Sequence, residues 1–170
     1  MRKIILILLL SPFFSVAQKT DVFIKLTDAY GLQIKGESFT KGFEKWISAT
    51  NITSSGKNNT QLNFTMLVSG ASADLKKAMA NGAYLINGQV SVMVPNPSGG
   101  APLTSYIIKM ENILVTTCYE AMGCNNIMNT TVMLQATRIG WTYYTTSGGV
   151  QTVSRKFGWD ASTGKEWINF

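Results

Sequence analysis

The chain contains no histidine. That removes the side chain used most often as a general base near neutral pH and as a ligand for zinc or copper. Hydrolysis by a Ser-His-Asp or Cys-His arrangement is excluded with it. Charge is scarce as well, at 14% of residues. Beyond the N-terminus, cations are adjacent only at Lys76-Lys77 and Arg155-Lys156. A nucleic-acid partner needs a denser basic face, so none is expected. There are two cysteines, Cys118 and Cys124. Their spacing is not that of a two-residue redox motif, and no histidine is available to complete a mixed zinc site. Phosphate-cradling glycine loops, a dinucleotide fingerprint and a calcium loop are all missing. The nine carboxylates fall in no motif that marks a catalytic pair. Glu37 after Gly36 and Asp160 after Trp159 read instead as acceptors for turn backbone. The sequence therefore points away from an enzyme and asks for no cofactor and no metal.

What is present begins with an export signal. Met1-Arg2-Lys3 is basic, Ile4 to Leu10 is unbroken aliphatic, and Phe13 and Phe14 extend it. Ser15-Val16-Ala17 then places small residues where a signal peptidase reads, so cleavage is expected between Ala17 and Gln18. The aliphatic run is too short to span a bilayer comfortably, so stable membrane insertion is not expected. Residue 18 is Gln rather than Cys, which does not indicate lipid attachment. Residues 1–17 are thus a signal peptide, and 18–170 form one domain of 153 residues, periplasmic or extracellular. Losing Arg2 and Lys3 lowers the formal charge from +6 to +4. Export also exposes Cys118 and Cys124 to an oxidising environment. Five residues, Gly123 among them, separate the two. A structural disulfide is expected, with two reduced thiols or a redox pair as the alternative.

Along the mature chain the pattern is mainly that of strands. Asp21 to Leu26 alternates, with Val22, Ile24 and Leu26 on one face. A turn at Asp28–Gly31 leads to an extended piece from Leu32 to Ile34. Phe43 to Ile52 and Leu62 to Val68 read as strands around a polar loop at 53–61. One helix is expected near Ser72, with Ser72 as its cap, Asp74 in its first turn, and an apolar stripe of Leu75, Ala78 and Met79. Asn81-Gly82 ends it. Tyr84 to Val94 alternates over a long strand, and a Pro/Gly loop fills 95–102. Leu103 to Thr117 changes parity between Met110 and Ile113, which predicts a bulge near Asn112. Residues 119–129 read as an excursion holding the cysteines. Val132 to Thr146 also changes parity, between Ala136 and Ile139. Ser147-Gly148-Gly149 turns the chain into a closing strand, Val150 to Trp159. Many strands, one helix and no βαβ rhythm predict an antiparallel β-barrel or sandwich with a short helix on its side.

The order of these pieces resembles the Hcp family, the tube protein of type VI secretion systems. Asp21-Val22-Phe23-Ile24-Lys25-Leu26, then Lys35-Gly36-Glu37-Ser38, then Trp46-Ile47 is similar to the family's opening. Phe64 ahead of the helix, Val90 to Val94, Tyr106 to Thr117 around Asn112-Ile113-Leu114-Val115, Val132 to Tyr143, and Phe157-Gly158-Trp159-Asp160 follow in the family's order. The resemblance implies an Hcp-like β-barrel and a homohexameric ring that stacks into a hollow tube. It also implies room for a small protein effector in the ring lumen and contact with other secretion components. The signal peptide and the cysteine pair are additions to the family pattern. Trp141, Tyr143 and Tyr144 on one strand, with Trp159 and Trp167 near the end, are expected to be core or subunit contacts. If exposed as a row they would instead suit sugars. The second reading is therefore a monomeric extracellular binding module, for a glycan or a protein, on the same fold.

Overall fold

The computed structural model describes residues 20–55, 60–123, 126–147 and 150–170. The Ala17/Gln18 junction, Cys124 and the Gly148-Gly149 turn lie outside them. In chain order the elements are β1 (Asp21–Thr27), β2 (Ile47–Ser54), β3 (Gln61–Leu67), α1 (Gly70–Ala80), β4 (Tyr84–Val94), β5 (Leu103–Met122), β6 (Met128–Ser147), β7 (Val150–Asp160) and β8 (Lys165–Glu166). Every pairing is antiparallel. The sheet runs β3-β2-β1-β4-β5-β6-β7-β8, and β3 also pairs with β6. That last pairing closes six strands into a barrel, which removes their free edges. β7 and β8 branch off the wall beyond it.

Alternation explains the barrel. Ile24 and Leu26 of β1, Leu62, Phe64 and Met66 of β3, and Val90 and Val92 of β4 point inward and are buried. On β5 and β6 the inward set changes parity partway along, as the sequence pattern requires. Met110 pairs with Ile139 on one side of the change, and Ile113 pairs with Ala136 on the other, all four buried. Asn112 sits between with φ +50°, a left-handed conformation that asparagine tolerates. Thr137 Oγ1 donates to Asn112 O at 3.3 Å. Both strands reverse parity at the same level, so the register survives there. The recorded register shift falls later, between Val115 and Thr117. The expected bulge near Asn112 is thus a kink shared by two strands, with the bulge proper at the Val115–Thr117 step.

Three other expectations are corrected. The helix starts earlier than Ser72: Ser69 is the N-cap, and its N–H donates to Ser72 Oγ at 3.1 Å. Ser72 is buried, with its hydroxyl 2.8 Å from Thr130 Oγ1 on β6. It therefore ties the helix to the barrel instead of starting it, and Asp74 falls outside the first turn. Phe43 and Trp46 belong to a loop rather than to β2, which begins only at Ile47. The 119–129 excursion is mostly strand: β5 continues to Met122, and the ladder reaches Met122↔Met128. These residues look like loop because they lie past the core, where alternation carries no burial signal. The two-residue strand β8 was not foreseen.

Candidate assembly surfaces

Among the described residues no group of three or more Cys, Asp or Glu could hold a metal ion. No helix among them is long and apolar enough to cross a membrane. Cys118 is a buried thiol on β5 whose Sγ lies 4.0 Å from Ser72 O, facing the helix. Burial pushes this thiol up from its ordinary pKa, with Lys76 opposing and Glu120 reinforcing the shift. A raised pKa makes a poor nucleophile.

The carboxylates with defined partners are architectural. Asp160 Oδ1 accepts from the Ser162 hydroxyl at 2.5 Å, the Ser162 N–H at 2.9 Å and the Thr163 N–H at 3.3 Å. Its Oδ2 accepts from Arg138 Nε at 2.8 Å, and Arg138 also reaches Glu111 at 3.0 Å. These bonds, the Ser162 hydroxyl first and Arg138 next, lower the Asp160 carboxyl to about 2. A folded-state pKa below the unfolded value contributes stability above about pH 4 and loses it as pH falls toward 2. The Asp160→Asn variant should therefore melt at lower urea than wild type at pH 7, and the gap should close as pH drops to about 2. A gap that stays constant from pH 7 to pH 2 would show that ionised Asp160 is not its source. Glu37 does not play the turn-capping part expected of it. Its carboxylate is exposed with no partner among the described residues. Glu44 takes that part, accepting the Gly42 N–H at 3.0 Å.

The side chains left for function are exposed apolar groups, and they gather in separate places. One is the loop at 28–46, where Tyr30 is 88% and Phe39 93% exposed. This loop is rigidly seated on the outside of β1. Phe43 stacks on Phe23 of β1 with ring centroids 4.4 Å apart, and Trp46 meets Phe43 edge-on at 5.1 Å. The Gly36 N–H donates to Lys45 O, Ser38 N–H to Trp46 O, and Lys45 N–H to Ser38 O. Gly36 is required there, because a Cβ would lie 2.4 Å from backbone atoms of Trp46 and Ile47.

The second place is β7 and the part of β6 beside it. Trp141 is buried and stacks on Phe157 at 5.9 Å, while Tyr106 and Tyr143 lie 5.7 Å apart. Tyr143, Val150, Val153 and Phe157 remain exposed. Thus Trp141 belongs to the core, and Tyr143 joins a surface patch. A third patch caps the β5–β6 hairpin, with Tyr119, Met122, Ile127 and Met128 exposed beside Leu67 and Val68.

The C-terminal tail was missed by sequence reasoning. The Trp167 N–H donates to Gly158 O at 2.9 Å, and the Phe170 ring lies over Gly140 and Gly158, which pair across β6 and β7. A Cβ on either glycine would approach that ring to 2.7 Å or less. Lys156 Nζ sits 4.1 Å from its centroid. Paired glycines inside two strands were the available signal, since they mark a close approach of other atoms. Between this tail and the outer sheet lies an open groove of about 380 Å³, bordered by Lys25, Gln89, Lys109 and Trp167.

Comparison with known proteins follows the same lines. The family described as "Type VI secretion system effector, Hcp" matches residues 23–143, well over half of the chain. No curated protein matches. Hcp1 from Salmonella typhimurium superposes with a TM-score of 0.71 at 20% identity, covering 87% of this chain and 99% of that one. A further type six secretion system protein superposes with a TM-score of 0.72 at 20% identity, covering 88% and 100%. The secreted protein Hcp3 from Pseudomonas aeruginosa gives 0.64 at 16%, covering 84% and 98%. At these identities the structures show a shared fold.

Proposed function

The chain belongs to the Hcp family of type VI secretion proteins, and on that premise we propose that residues 18–170 act as an exported, ring-forming structural subunit. The ring is hexameric, stacks with others, and holds a small protein effector in its opening. The observation that supports this most directly is where the exposed apolar side chains sit. The barrel is closed, yet Phe39 on one side and Val153 and Phe157 on another face solvent on firmly held backbone. A monomeric soluble protein seldom leaves several such patches open, whereas subunit contacts are rich in aromatic side chains. A closed ring covers them without leading to an open chain.

Two further parts of the proposal concern the exported form. Met1 to Ala17 is removed, and Cys118 pairs with Cys124. Light scattering during size-exclusion chromatography of the exported protein is expected to give about six times the monomer mass. Non-reducing intact mass of the same sample should correspond to a chain starting at Gln18 and two hydrogens lighter than the dithiol. A monomer over a wide concentration range would overturn the ring and favour the binding module. Retention of residues 1–17, or thiols that alkylate without reductant, would remove the corresponding part.

A further inference from the structure

The geometry points to a binding site for an acidic saccharide, a sugar chain that carries carboxylates, in the groove between the C-terminal tail and the outer face of β1, β4 and β5. The site lies within one chain and does not rest on the ring reading. Its floor is a row of directly paired residues. Lys25 stands opposite Gln89, Gln89 opposite Lys109, Lys109 opposite Gly140, and Gly140 opposite Gly158. The two glycines seat Phe170. The Phe170 ring in turn packs on Trp167, with centroids 4.9 Å apart, and Trp167 walls the groove. This wall is built before any ligand arrives, which lowers the ordering cost of binding. The space of about 380 Å³ falls within the range of small-molecule sites.

The lining selects its ligand by charge and by hydrogen bonding. Lys25 and Lys109 are exposed, and neither ammonium meets a carboxylate among the described residues. Lys25 Nζ instead faces the Trp46 ring, 5.9 Å from its centroid. Glu111 is the one acidic side chain in the lining, and Arg138 already neutralises it at 3.0 Å. Two cations without counter-charges favour an anion. They stand two strands apart, about 10 Å between backbones, with the Gln89 amide between them. A single phosphate needs donors that converge on it, so it fits this row poorly. Carboxylates spaced along a chain fit it. The groups around the two charges are neutral and polar. Gln89 Nε2 donates to Ser91 Oγ at 3.3 Å, and its side-chain oxygen has no partner among the described residues. The Asn87 amide and the Thr27 hydroxyl border the groove and make no side-chain hydrogen bond among the described residues. Such groups both donate and accept, as sugar hydroxyls do. The Trp167 indole adds an apolar face with a polar edge, which suits the C–H face of a pyranose ring.

Calorimetric titration of the exported protein with a trimer of galacturonic acid tests the site, beside the uncharged methyl ester of the same trimer. The acid should bind at millimolar concentration or below, and the ester at least about tenfold more weakly. Lys25→Ala and Lys109→Ala should each lower affinity for the acid about tenfold, the loss expected of one charge-assisted hydrogen bond. Their thermal midpoints should match wild type, because both side chains face solvent. Trp167→Leu, which removes the ring and no charge, should also weaken binding. Lys77→Ala removes the same charge from the exposed side of α1 and should leave affinity unchanged. Equal binding of acid and ester would overturn the proposal, as would a loss in Lys77→Ala as large as that in Lys109→Ala. Absence of heat from the acid at millimolar concentration and physiological ionic strength would overturn it too. Light scattering of the same variants separates the site from assembly, and each lysine variant should keep the wild-type mass. Affinity lost together with a change of mass would place these lysines in a subunit contact and overturn the site.

Discussion

Alanine at position 36 is expected to destabilise the protein by about 3 kcal/mol, at the upper end of what overpacking costs. The new methyl would sit 2.4 Å from the Ile47 N and Cα and from the Trp46 carbonyl oxygen. These are backbone atoms at the start of β2, so no side-chain rotation relieves the clash. Either the loop lifts away or β2 shifts against β1. Lifting breaks the hydrogen bonds between 36–38 and 45–46 and unstacks Phe43 from Phe23. Trp46 would then move into water. Urea unfolding followed by tryptophan fluorescence measures the loss, and a native-state red shift would report the lifted loop. The same variant should weaken ring assembly, since the seated loop is what presents Phe39. A Gly36→Ala protein with unchanged urea midpoint would mean that the 2.4 Å approach is easily relaxed.

Truncating Phe64 to alanine should cost about 3–5 kcal/mol, the range for removing a buried aromatic ring. Phe64 is 2% exposed and stands on β3, between Ile52 of β2 and Val132 of β6. β3 is the strand that closes the barrel, so the cavity would open on the seam where β2 and β6 are held together. Loss on this scale is a large part of the stability of an ordinary single domain. Phe39→Ala should by contrast change stability by less than about 0.5 kcal/mol, the usual limit for surface substitutions. Chemical unfolding at a protein concentration low enough to dissociate the ring measures both. Equal effects from the two phenylalanines would contradict their burial, 2% against 93%.

That contrast shows what a sequence reader could and could not see. Phe39 and Phe64 are the same residue type, and both lie in plausible extended stretches. Phe64 stands in alternation with Leu62 and Met66, which identifies an inward face. Phe39 has no such neighbours, and nothing local says that it points to solvent. Trp141 and Tyr143 share a face of β6, yet one is in the core and the other on a surface patch. The difference is where the barrel wall ends, which depends on strands far away in sequence. Ser72 was recognisable as a helix-start residue, but it acts at the third helical position because Ser69 precedes it and its own hydroxyl is held 2.8 Å from Thr130 Oγ1. The fold of the tail was illegible for a similar reason. Trp167 and Phe170 find their seat only because two glycines fall opposite one another in the β6–β7 register.

Local chemistry in the sequence determined the core of each long strand, where the helix stops, where parity changes, and which catalytic constellations cannot be assembled. Each of these depends on side chains within a few residues of one another, so a period, a cap or a missing histidine is enough to reveal it. Tertiary structure alone decided that β3 closes on β6, that the 28–46 loop and β7 lie on opposite sides of the barrel, and that Phe39, Tyr143 and Val153 stay uncovered. Those outcomes follow from pairing between distant segments, such as Leu62 with Leu134, 72 residues apart, and from the curvature that brings them together. Exposure is a property of the closed barrel, and no window of sequence contains it.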